Sequence, residues 1–559
     1  MFQKQIIKPT QFSRLVIPPL SSLNWKGFIW LAAFLFPFLV YFSYVLRYAV
    51  NIPVNDDYGL VLQFLNSFSH AASLREQLGF IWQQHNESRE IFLRLLVLLQ
   101  YWLFGQVNFR TLTILKDIAY AVIVLVFVFQ FHNTGLKKLS WLLIPFVMLA
   151  PVLSGNVLES LDRTWCLLFS LLFLLALVRN KAWAYFLLYP LSIFTFSGGL
   201  VLFPIGNIYL LLTRRWKVLP YYFILSTGFT ALYFYHYETV LSASPLLDAF
   251  LYFPQFVQAF FAFLGSAFFS SEAGLVFGVL IALALLGIII VAGEDEDFFS
   301  LLSGLLLVSA GAVSLGRTTS GVTTGSLSPH YLVYSRMALI LLVGFGIKRS
   351  RPFVSIHQRL AICAVVIAAG YFCANIAIDQ VGEVFERNRD AKISGLVTFA
   401  AYRDPNFLAN PVPQFARDIL IDANRSGVYP YQSLARELRT PVQFTYQVPQ
   451  ANADFQGFID HINNNLVGGW ALLHGVHSKD TRVFLLLRNS AGVARLSVLN
   501  QKRPDVSRAY NVVNTYDHSG FEVYIGAHAI PPGTYQLGLL VQNAELVSLH
   551  WDDQEITIR

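Results

Sequence analysis

Apolar runs long enough to cross a lipid bilayer recur through the first two-thirds of this chain, and they leave few folds open to it. Of its 559 residues, 55% are hydrophobic and only 13% are charged, whereas soluble domains carry about 25% charged residues. A run of about 17–25 apolar residues is typical of a transmembrane helix. The sequence therefore predicts a polytopic α-helical membrane protein.

The apolar runs predict about eleven spans. They lie near 27–47, 111–131, 139–153, 161–178, 182–196, 199–213, 218–236, 274–293, 298–314, 331–347 and 358–378. Basic loops mark the cytoplasmic side of a membrane. The basic segments are Met1–Lys26, Lys137-Lys138, Arg179–Lys181, Arg214–Lys217 and Lys348–Arg359. These segments predict a cytoplasmic N-terminus and an outside position for everything after Ala377. The acidic stretch Glu294–Asp297 also falls inside, although acidic residues count little in this rule.

Charge and cysteine content exclude two further classes of protein. The net charge is +7, but the basic residues lie in short loops rather than in one patch, so no nucleic-acid partner is predicted. The three cysteines, Cys166, Cys363 and Cys373, all lie in apolar spans. A disulfide framework is therefore not predicted.

The C-terminal third changes to a period of two. Apolar residues alternate along it at Tyr535, Leu537, Leu539 and Val541, at Phe521, Val523 and Ile525, and at Ile556 and Ile558. Several short strands at this spacing predict an extracytoplasmic β-sandwich over 441–559. Residues 379–440 predict a mixed, partly helical connector. The transmembrane module is then 1–378, with a long first outer loop at 48–110.

An acidic pair, Asp56-Asp57, follows directly on the first predicted span. Adjacent carboxylates at a water–lipid boundary are costly to desolvate, so packing alone rarely places them there. Such a pair is what a membrane enzyme needs to take a proton from a hydroxyl. The alternative is that Asn55 or Asp56 caps a following helix over Tyr58–Phe68.

Other polar residues of the predicted outer loops are candidates for binding. They are His85, Glu87 and Arg89 in the first loop, Glu159 and Asp162 in the second, and Arg317, His330 and Arg336 at a later one. His85 and Glu87 lie two residues apart, which is a weak zinc signal without further ligands, so no metal site is predicted. Arg317 is either an interfacial arginine that extends toward headgroups or a phosphate ligand. Arg336 lies about five residues into an apolar span, where a charge is expensive unless it faces a polar cavity.

This layout resembles the GT-C superfamily of integral-membrane glycosyltransferases, in its bacterial form that uses polyprenyl-phosphate sugars. The resemblance rests on the basic start, the first span, and Asn55-Asp56-Asp57-Tyr58 at the opening of a long outer loop. The stretch His85-Asn86-Glu87-Ser88-Arg89 and the β-rich tail are similar to parts of such enzymes. Many members carry Asp-Glu where this chain has Asp-Asp, which leaves open which of the two carboxylates is the catalytic base.

The resemblance implies an inverting transfer of a sugar from a polyprenyl-phosphate donor to a glycan or lipid-linked acceptor. Asp56 would be the catalytic base and Asp57 a supporting acid. Donor phosphate would meet the cations at 317, 330 and 336, and the acceptor or sugar would meet the polar residues at 85, 87, 89, 159 and 162. The setting implied is the outer face of a bacterial inner membrane, among membrane lipids. No cofactor is certain, and a divalent cation stays open.

Two other functions remain open. A transporter or flippase of a lipid-linked substrate predicts ionisable residues near the midplane and broken helices, and only Ser197–Gly199 indicates a break. Lys116 and Asp117 are adjacent, and adjacent helical residues do not face each other, so one of them is predicted near the interface. A non-catalytic membrane scaffold whose β-domain binds glycans would leave the acidic pair and Arg336 unexplained.

Overall fold

The computed structural model describes residues 25–133, 138–150, 160–161, 163–238, 251–267, 271–293, 296–317, 331–350, 354–377, 380–403, 405–463 and 465–558. The chain is mostly helical up to residue 437 and strand-rich after it. The helices of the first part are Trp25–Tyr48, Phe64–Ser69, Leu74–Trp82, Ile91–Phe104, Phe109–Asn133, Lys138–Trp141, Leu143–Met148, Thr164–Val178, Ala182–Ile193, Leu202–Leu212, Leu219–Phe234, Phe253–Gly265, Ser271–Val291, Asp297–Arg317, Leu332–Arg349 and Val354–Ala377.

Five helices in the described part of the chain are long and apolar enough to cross a membrane. They are Trp25–Tyr48, Phe109–His132, Ala273–Val291, Asp297–Leu315 and Gln358–Asn375. These confirm the predicted spans near 27–47, 111–131, 274–293, 298–314 and 358–378. The predicted span 139–153 contains two short helices, with Leu142 between them. Residues 151–153 lie outside the described residues. The count of eleven stays a prediction.

Glu296 and Asp297 belong to the acidic stretch that departs from the basic character of the other predicted cytoplasmic segments. Glu296 is paired with basic residues. Glu296 contacts Lys348 at 3.3 Å and Arg349 at 2.8 Å. The next carboxylate, Asp297, accepts a hydrogen bond from the Tyr209 hydroxyl at 2.6 Å. The structure therefore brings Glu296 to the end of the helix that carries Lys348 and Arg349.

The predicted first outer loop and the predicted connector fold around one apolar core. Helices Gln380–Tyr402, Pro413–Arg425 and Tyr431–Glu437 form the connector. Their buried residues, among them Leu396 and Leu420, pack in one cluster with Leu60 and Val97 of the loop. Because the two regions lie about 300 residues apart in sequence, this packing fixes the loop that carries the acidic pair.

Two four-stranded antiparallel sheets form the C-terminal region. One sheet has the order Val547–Ile558, Gly533–Gln542, Arg482–Asn489, Gly492–Ser497, and the other has the order Phe455–Asn463, Leu466–Leu473, Gly520–Tyr524, Leu499–Gln501. The alternating residues 535, 537, 539 and 541 are all buried, and they share a core with Phe521 and Val523 of the opposite sheet. The period-two prediction is confirmed here.

Candidate functional site

The two carboxylates of the acidic pair have opposite environments. Asp57 is buried, and its Oδ2 accepts a hydrogen bond from the Val54 amide at 2.9 Å while its Oδ1 accepts one from the Ser160 hydroxyl. The Asp56 side chain is 74% exposed. Asp57 therefore holds the turn in place, and Asp56 is the carboxylate that a substrate can reach.

The connector sets the conformation of this turn. Asn55 has φ of +48°, in the left-handed region that asparagine tolerates better than most residues. Its amide donates to the Ala409 carbonyl at 2.8 Å, and the Asn410 side chain donates to its carbonyl at 2.8 Å. A π-helix, Tyr58–Gln63, follows at once, and short π-helical turns are frequent at functional sites.

The helix-cap alternative is not supported by these contacts. The residue at the N-cap position is Asp57, and its side chain makes no capping hydrogen bond. The Asp56 carboxylate instead accepts from the Asn86 amide group at 3.5 Å. Neither carboxylate is explained by the start of the helix.

A tight hairpin brings His85 and Asn86 to the acidic pair. The backbones of His85 and Ser88 exchange two hydrogen bonds, of 2.8 and 2.9 Å, and His85 Nε2 lies 3.9 Å from Asp56 Oδ1. Gly59 permits this approach, because a Cβ there would lie 2.9 Å from His85 Cε1. Burial lowers the pKa of His85, against the opposing effect of Asp56. A neutral imidazole therefore stands beside the carboxylate at pH 7.

The break between two helices near residues 197–199 is hydrogen-bonded to this hairpin. Helices Ala182–Ile193 and Leu202–Leu212 are joined by a 3₁₀ turn, Ser197–Val201. The Ser88 hydroxyl donates to Ser197 Oγ at 3.1 Å and accepts from the Ser197 amide at 3.2 Å. The feature that suggested a broken transporter helix thus serves here to fix the loop of the candidate site.

The Arg89 side chain is hydrogen-bonded to backbone carbonyls. Its side chain is buried, and its guanidinium donates to the carbonyls of Trp82, at 2.8 Å, and of Tyr233 and Tyr235. The charged group also lies 5.1 Å from the centre of the Trp82 ring. These contacts favour a positioning role, which ties the loop to the end of helix Leu219–Phe234, over the predicted contact with sugar.

Glu87 contacts two tyrosines through its backbone carbonyl. The Glu87 carbonyl accepts hydrogen bonds from the hydroxyls of Tyr233, at 3.0 Å, and Tyr237, at 3.2 Å. The residue itself is exposed. A role in acceptor or sugar binding stays a prediction for His85 and Glu87. Within the described residues, no group of three His, Cys, Asp or Glu side chains is placed to hold a metal ion.

The residue that sequence reasoning missed is Glu90. It is buried, and burial raises the pKa of its carboxyl to about 8. The charges of Arg94 and Arg163 lower this pKa, while those of Asp56 and Glu87 raise it. The sequence signal was present, since Glu90 directly precedes the apolar run that begins at Ile91. Only the packing around it shows a carboxylic acid that is largely protonated at pH 7.

We expect Glu90→Gln to stabilise the protein at alkaline pH. The folded-state pKa of about 8 lies above the ordinary value of 4.5, so the stability that the protonated group contributes is present below about pH 4.5 and is lost as pH rises toward 8. The free energy of unfolding is expected to be about 4 kcal/mol lower at pH 8 than below pH 4.5 because of this group. The check is the melting temperature of wild type and variant in detergent between pH 5 and 9. Parallel curves over this range would contradict the raised pKa.

Arg336 does not present a free guanidinium to a phosphate. It is buried and donates to the carbonyls of Met148, at 2.8 Å, and Ala150, at 2.9 Å. These carbonyls lie at the end of helix Leu143–Met148, where a cation is stabilised by unpaired carbonyl groups. The expected polar surrounding is present, and it includes these two backbone carbonyls. A helix-capping role is therefore favoured for Arg336 over direct contact with the donor.

Several predicted site residues lie outside the described residues. These are Glu159, Asp162, His330 and the side chain of Arg317. Their roles stay predictions. Arg163, which follows Asp162, is described: its guanidinium lies 4.5 Å from the centre of the Phe196 ring and 4.9 Å from that of Tyr331. Its charge also lowers the pKa of Glu90.

Lys116 and Asp117 contact each other inside the protein, and the position of one of them near the membrane interface stays a prediction. Both side chains are buried, and Lys116 Nζ lies 3.6 Å from Asp117 Oδ1. The Tyr41 hydroxyl donates to the same oxygen at 2.8 Å. Adjacent residues can pair in this way because the long lysine side chain bends back toward its neighbour.

Comparison with protein-family models found no match to this chain. Comparisons with curated proteins and with solved structures also found none. The resemblance to GT-C glycosyltransferases therefore rests on the residues and their arrangement alone.

Proposed function

We propose that the protein is an inverting membrane glycosyltransferase that moves a sugar from a polyprenyl-phosphate donor to a glycan or lipid-linked acceptor. The observation that carries the proposal is the exposed Asp56 carboxylate, held beside His85 and Asn86 on a turn that buried Asp57 fixes. A general base must be both accessible and precisely positioned, and the two carboxylates divide these tasks between them.

In the proposed reaction, Asp56 accepts the proton of the acceptor hydroxyl as its oxygen attacks the anomeric carbon. The bond between that carbon and the phosphate oxygen breaks, and polyprenyl phosphate leaves with the electron pair. Attack from the face opposite the leaving group inverts the anomeric configuration. Because a hydroxyl has a pKa far above neutral, proton transfer accompanies the attack rather than preceding it.

The neighbours of Asp56 suit it to this task. His85 lies close enough to the Asp56 carboxylate to affect its electrostatic environment. Asn86 donates a hydrogen bond to the oxygen that would accept the proton. Glu90 is the buried acid near this site, and its raised pKa of about 8 keeps it largely neutral at pH 7.

Arg163 is the described cation best placed to meet the leaving phosphate. It lies over Tyr331, at the start of the helix that follows the predicted outer loop with Arg317 and His330, and guanidinium geometry suits phosphate oxygens. Stabilising charge on the leaving group is a large contribution to such a reaction. Arg317 and His330 remain candidates for the same role.

The setting we propose is the outer face of a bacterial inner membrane, with about eleven spans and a β-sandwich outside the cytoplasm. Five apolar helices, the basic segments, and the two sheets with a shared core support this arrangement. The acidic turn would then lie at the outer end of the first span, within reach of lipid-linked substrates.

The buried pair Lys116–Asp117 favours a second candidate, a transporter or flippase of a lipid-linked substrate. Ionisable residues inside a membrane helix are expensive and commonly functional. This pair lies seven to eight residues into helix Phe109–Asn133, which corresponds to a depth of about 11 Å.

An assay of purified full-length protein with a panel of polyprenyl-phosphate sugars and envelope glycolipids separates these functions. A transferase releases polyprenyl phosphate in detergent, and the product shows the inverted anomeric configuration by NMR. A transporter moves the lipid-linked sugar across proteoliposomes without releasing polyprenyl phosphate. Binding of glycan by the β-rich region, with neither activity, would support the scaffold. The absence of release across the panel by folded protein would contradict the proposal.

A further inference from the structure

A polar cavity of about 590 Å³ lies where the first apolar helix ends and the connector begins. Three arginines line it, each from a different helix: Arg47 from Trp25–Tyr48, Arg110 from Phe109–Asn133 and Arg389 from Gln380–Tyr402. Asn51 and Tyr429 also line it, and the Tyr429 hydroxyl donates to the Asn51 carbonyl at 2.6 Å. Helices from two parts of the chain therefore build this cavity jointly.

The charge of the cavity is unbalanced toward the positive. Glu437 is its single acidic lining residue within the described part of the chain. Arg389 is already paired, since it lies 2.9 Å from Asp390 and 4.0 Å from Glu386. Arg110 donates to the Leu46 carbonyl at 2.8 Å, which uses one of its five N–H groups. Within the described residues Arg47 contacts only the Tyr48 ring, at 5.3 Å.

Exposed apolar side chains lie in the chain segments next to residues that line the cavity. Leu46 precedes Arg47 and is half exposed, and Trp102, Leu103 and Phe104 each leave about two-thirds of their surface uncovered. This exposed tip ends two residues before Gln106, which lines the cavity. Tryptophan and exposed apolar groups of this kind are typical of the boundary between lipid tails and headgroups. At such a boundary the arginines would meet lipid phosphates.

We propose that this cavity binds the phosphate headgroup of an anionic phospholipid from the surrounding bilayer. The guanidinium groups of Arg47 and Arg110 would hold the phosphate oxygens, for which their planar geometry is suited. The acyl chains would lie along Leu46 and the apolar tip at 102–104. The proposal does not depend on glycosyl transfer, because the cavity is lined by residues other than the acidic pair.

The test is a titration of full-length protein in detergent with phosphatidylglycerol and with phosphatidylcholine, followed by native mass spectrometry. The wild type is expected to bind phosphatidylglycerol at least about fivefold more tightly, since the choline cation of phosphatidylcholine cancels the charge of its phosphate. Attraction of one basic residue to anionic lipid is worth about 1 kcal/mol, which is about fivefold. Arg47→Gln should lower the affinity for phosphatidylglycerol by about fivefold. Arg75→Gln is the matched control, because Arg75 is exposed on helix Leu74–Trp82 and does not line the cavity.

Melting temperatures measured on the same samples confirm that each variant is folded. Equal affinities for the two lipids, or an unchanged affinity of the folded Arg47→Gln variant, would overturn the proposal. Inorganic phosphate is the third probe. If it competes with phosphatidylglycerol at equal concentration, the cavity takes a free anion and not a lipid, and the proposal is wrong.

Discussion

Replacing Asp56 with asparagine is expected to lower the rate of sugar transfer by a factor of about 10² to 10⁴, the usual contribution of a general base. Asparagine keeps the size and the hydrogen-bonding oxygen of the side chain but cannot accept the proton. Stability should change little, because the carboxylate is 74% exposed and its contacts with Asn86 and His85 are long, at 3.5 and 3.9 Å. Release of polyprenyl phosphate by purified protein is the measurement.

Asp57→Ala is the matched comparison for this variant. Its loss leaves the Val54 amide and the Ser160 hydroxyl without the buried acceptor that they share, and an unpaired buried polar group costs about 1–3 kcal/mol. We therefore expect a lower melting temperature for Asp57→Ala and an unchanged one for Asp56→Asn. Full transfer activity in Asp56→Asn would remove Asp56 as the base. Equal destabilisation of both variants would show that Asp56 is also structural.

Replacing Arg89 with methionine is expected to have the largest effect on stability at neutral pH. Methionine retains much of the apolar length but leaves the carbonyls of Trp82, Tyr233 and Tyr235 unpaired. The hydrogen bond to Tyr233 is buried and those to Trp82 and Tyr235 are partly buried. A fully buried unpaired group costs roughly 1–3 kcal/mol and a partly buried one costs less, so the expected total loss is about 4 kcal/mol. The measurement is the melting temperature, together with proteolysis of the loop around residues 82–90. Faster cleavage there would show that the guanidinium ties this loop to the end of helix Leu219–Phe234.

Arg75→Met provides the control, because Arg75 is exposed nearby on helix Leu74–Trp82. The same loss of positive charge there should leave stability unchanged. If Arg89→Met were as stable as Arg75→Met, the hydrogen bonds to the three carbonyls would not hold the loop. If Arg89→Met instead stayed folded and lost only acceptor binding, the original prediction of a sugar contact would be the better one.

The membrane helices and the strands could be predicted because each depends on a local pattern. A long apolar run meets the length of a bilayer whatever surrounds it, as at Trp25–Tyr48. Alternation from Tyr535 to Val541 predicts one buried face of a strand from the backbone geometry alone, and those residues are buried. The shorter helices were less predictable, since packing against neighbours rather than bilayer thickness decides where they end.

The chain segments that form the candidate site could be predicted from the sequence, but the contacts of their individual side chains could not. The pair Asp56-Asp57 and the stretch at 85–90 could be singled out as unusual, and the structure brings Asp56 within 3.9 Å of His85. Arg89 and Arg336 were predicted as ligand contacts because the sequence shows their charge. It does not show the backbone carbonyls that use this charge, which come from residues between 7 and 188 positions away.

The sequence by itself determined that this is a membrane protein with apolar helices and a strand-rich end, because composition and periodicity act locally. It also determined that two carboxylates stand side by side after the first apolar helix. Only the tertiary structure decided that Asp57 is buried and Asp56 exposed, and that Glu90 has a raised pKa. Burial and charge environment depend on chain segments that are distant in sequence. Contacts from the connector near Ala409 and from Ser160 divide the acidic pair into a fixed residue and an accessible one.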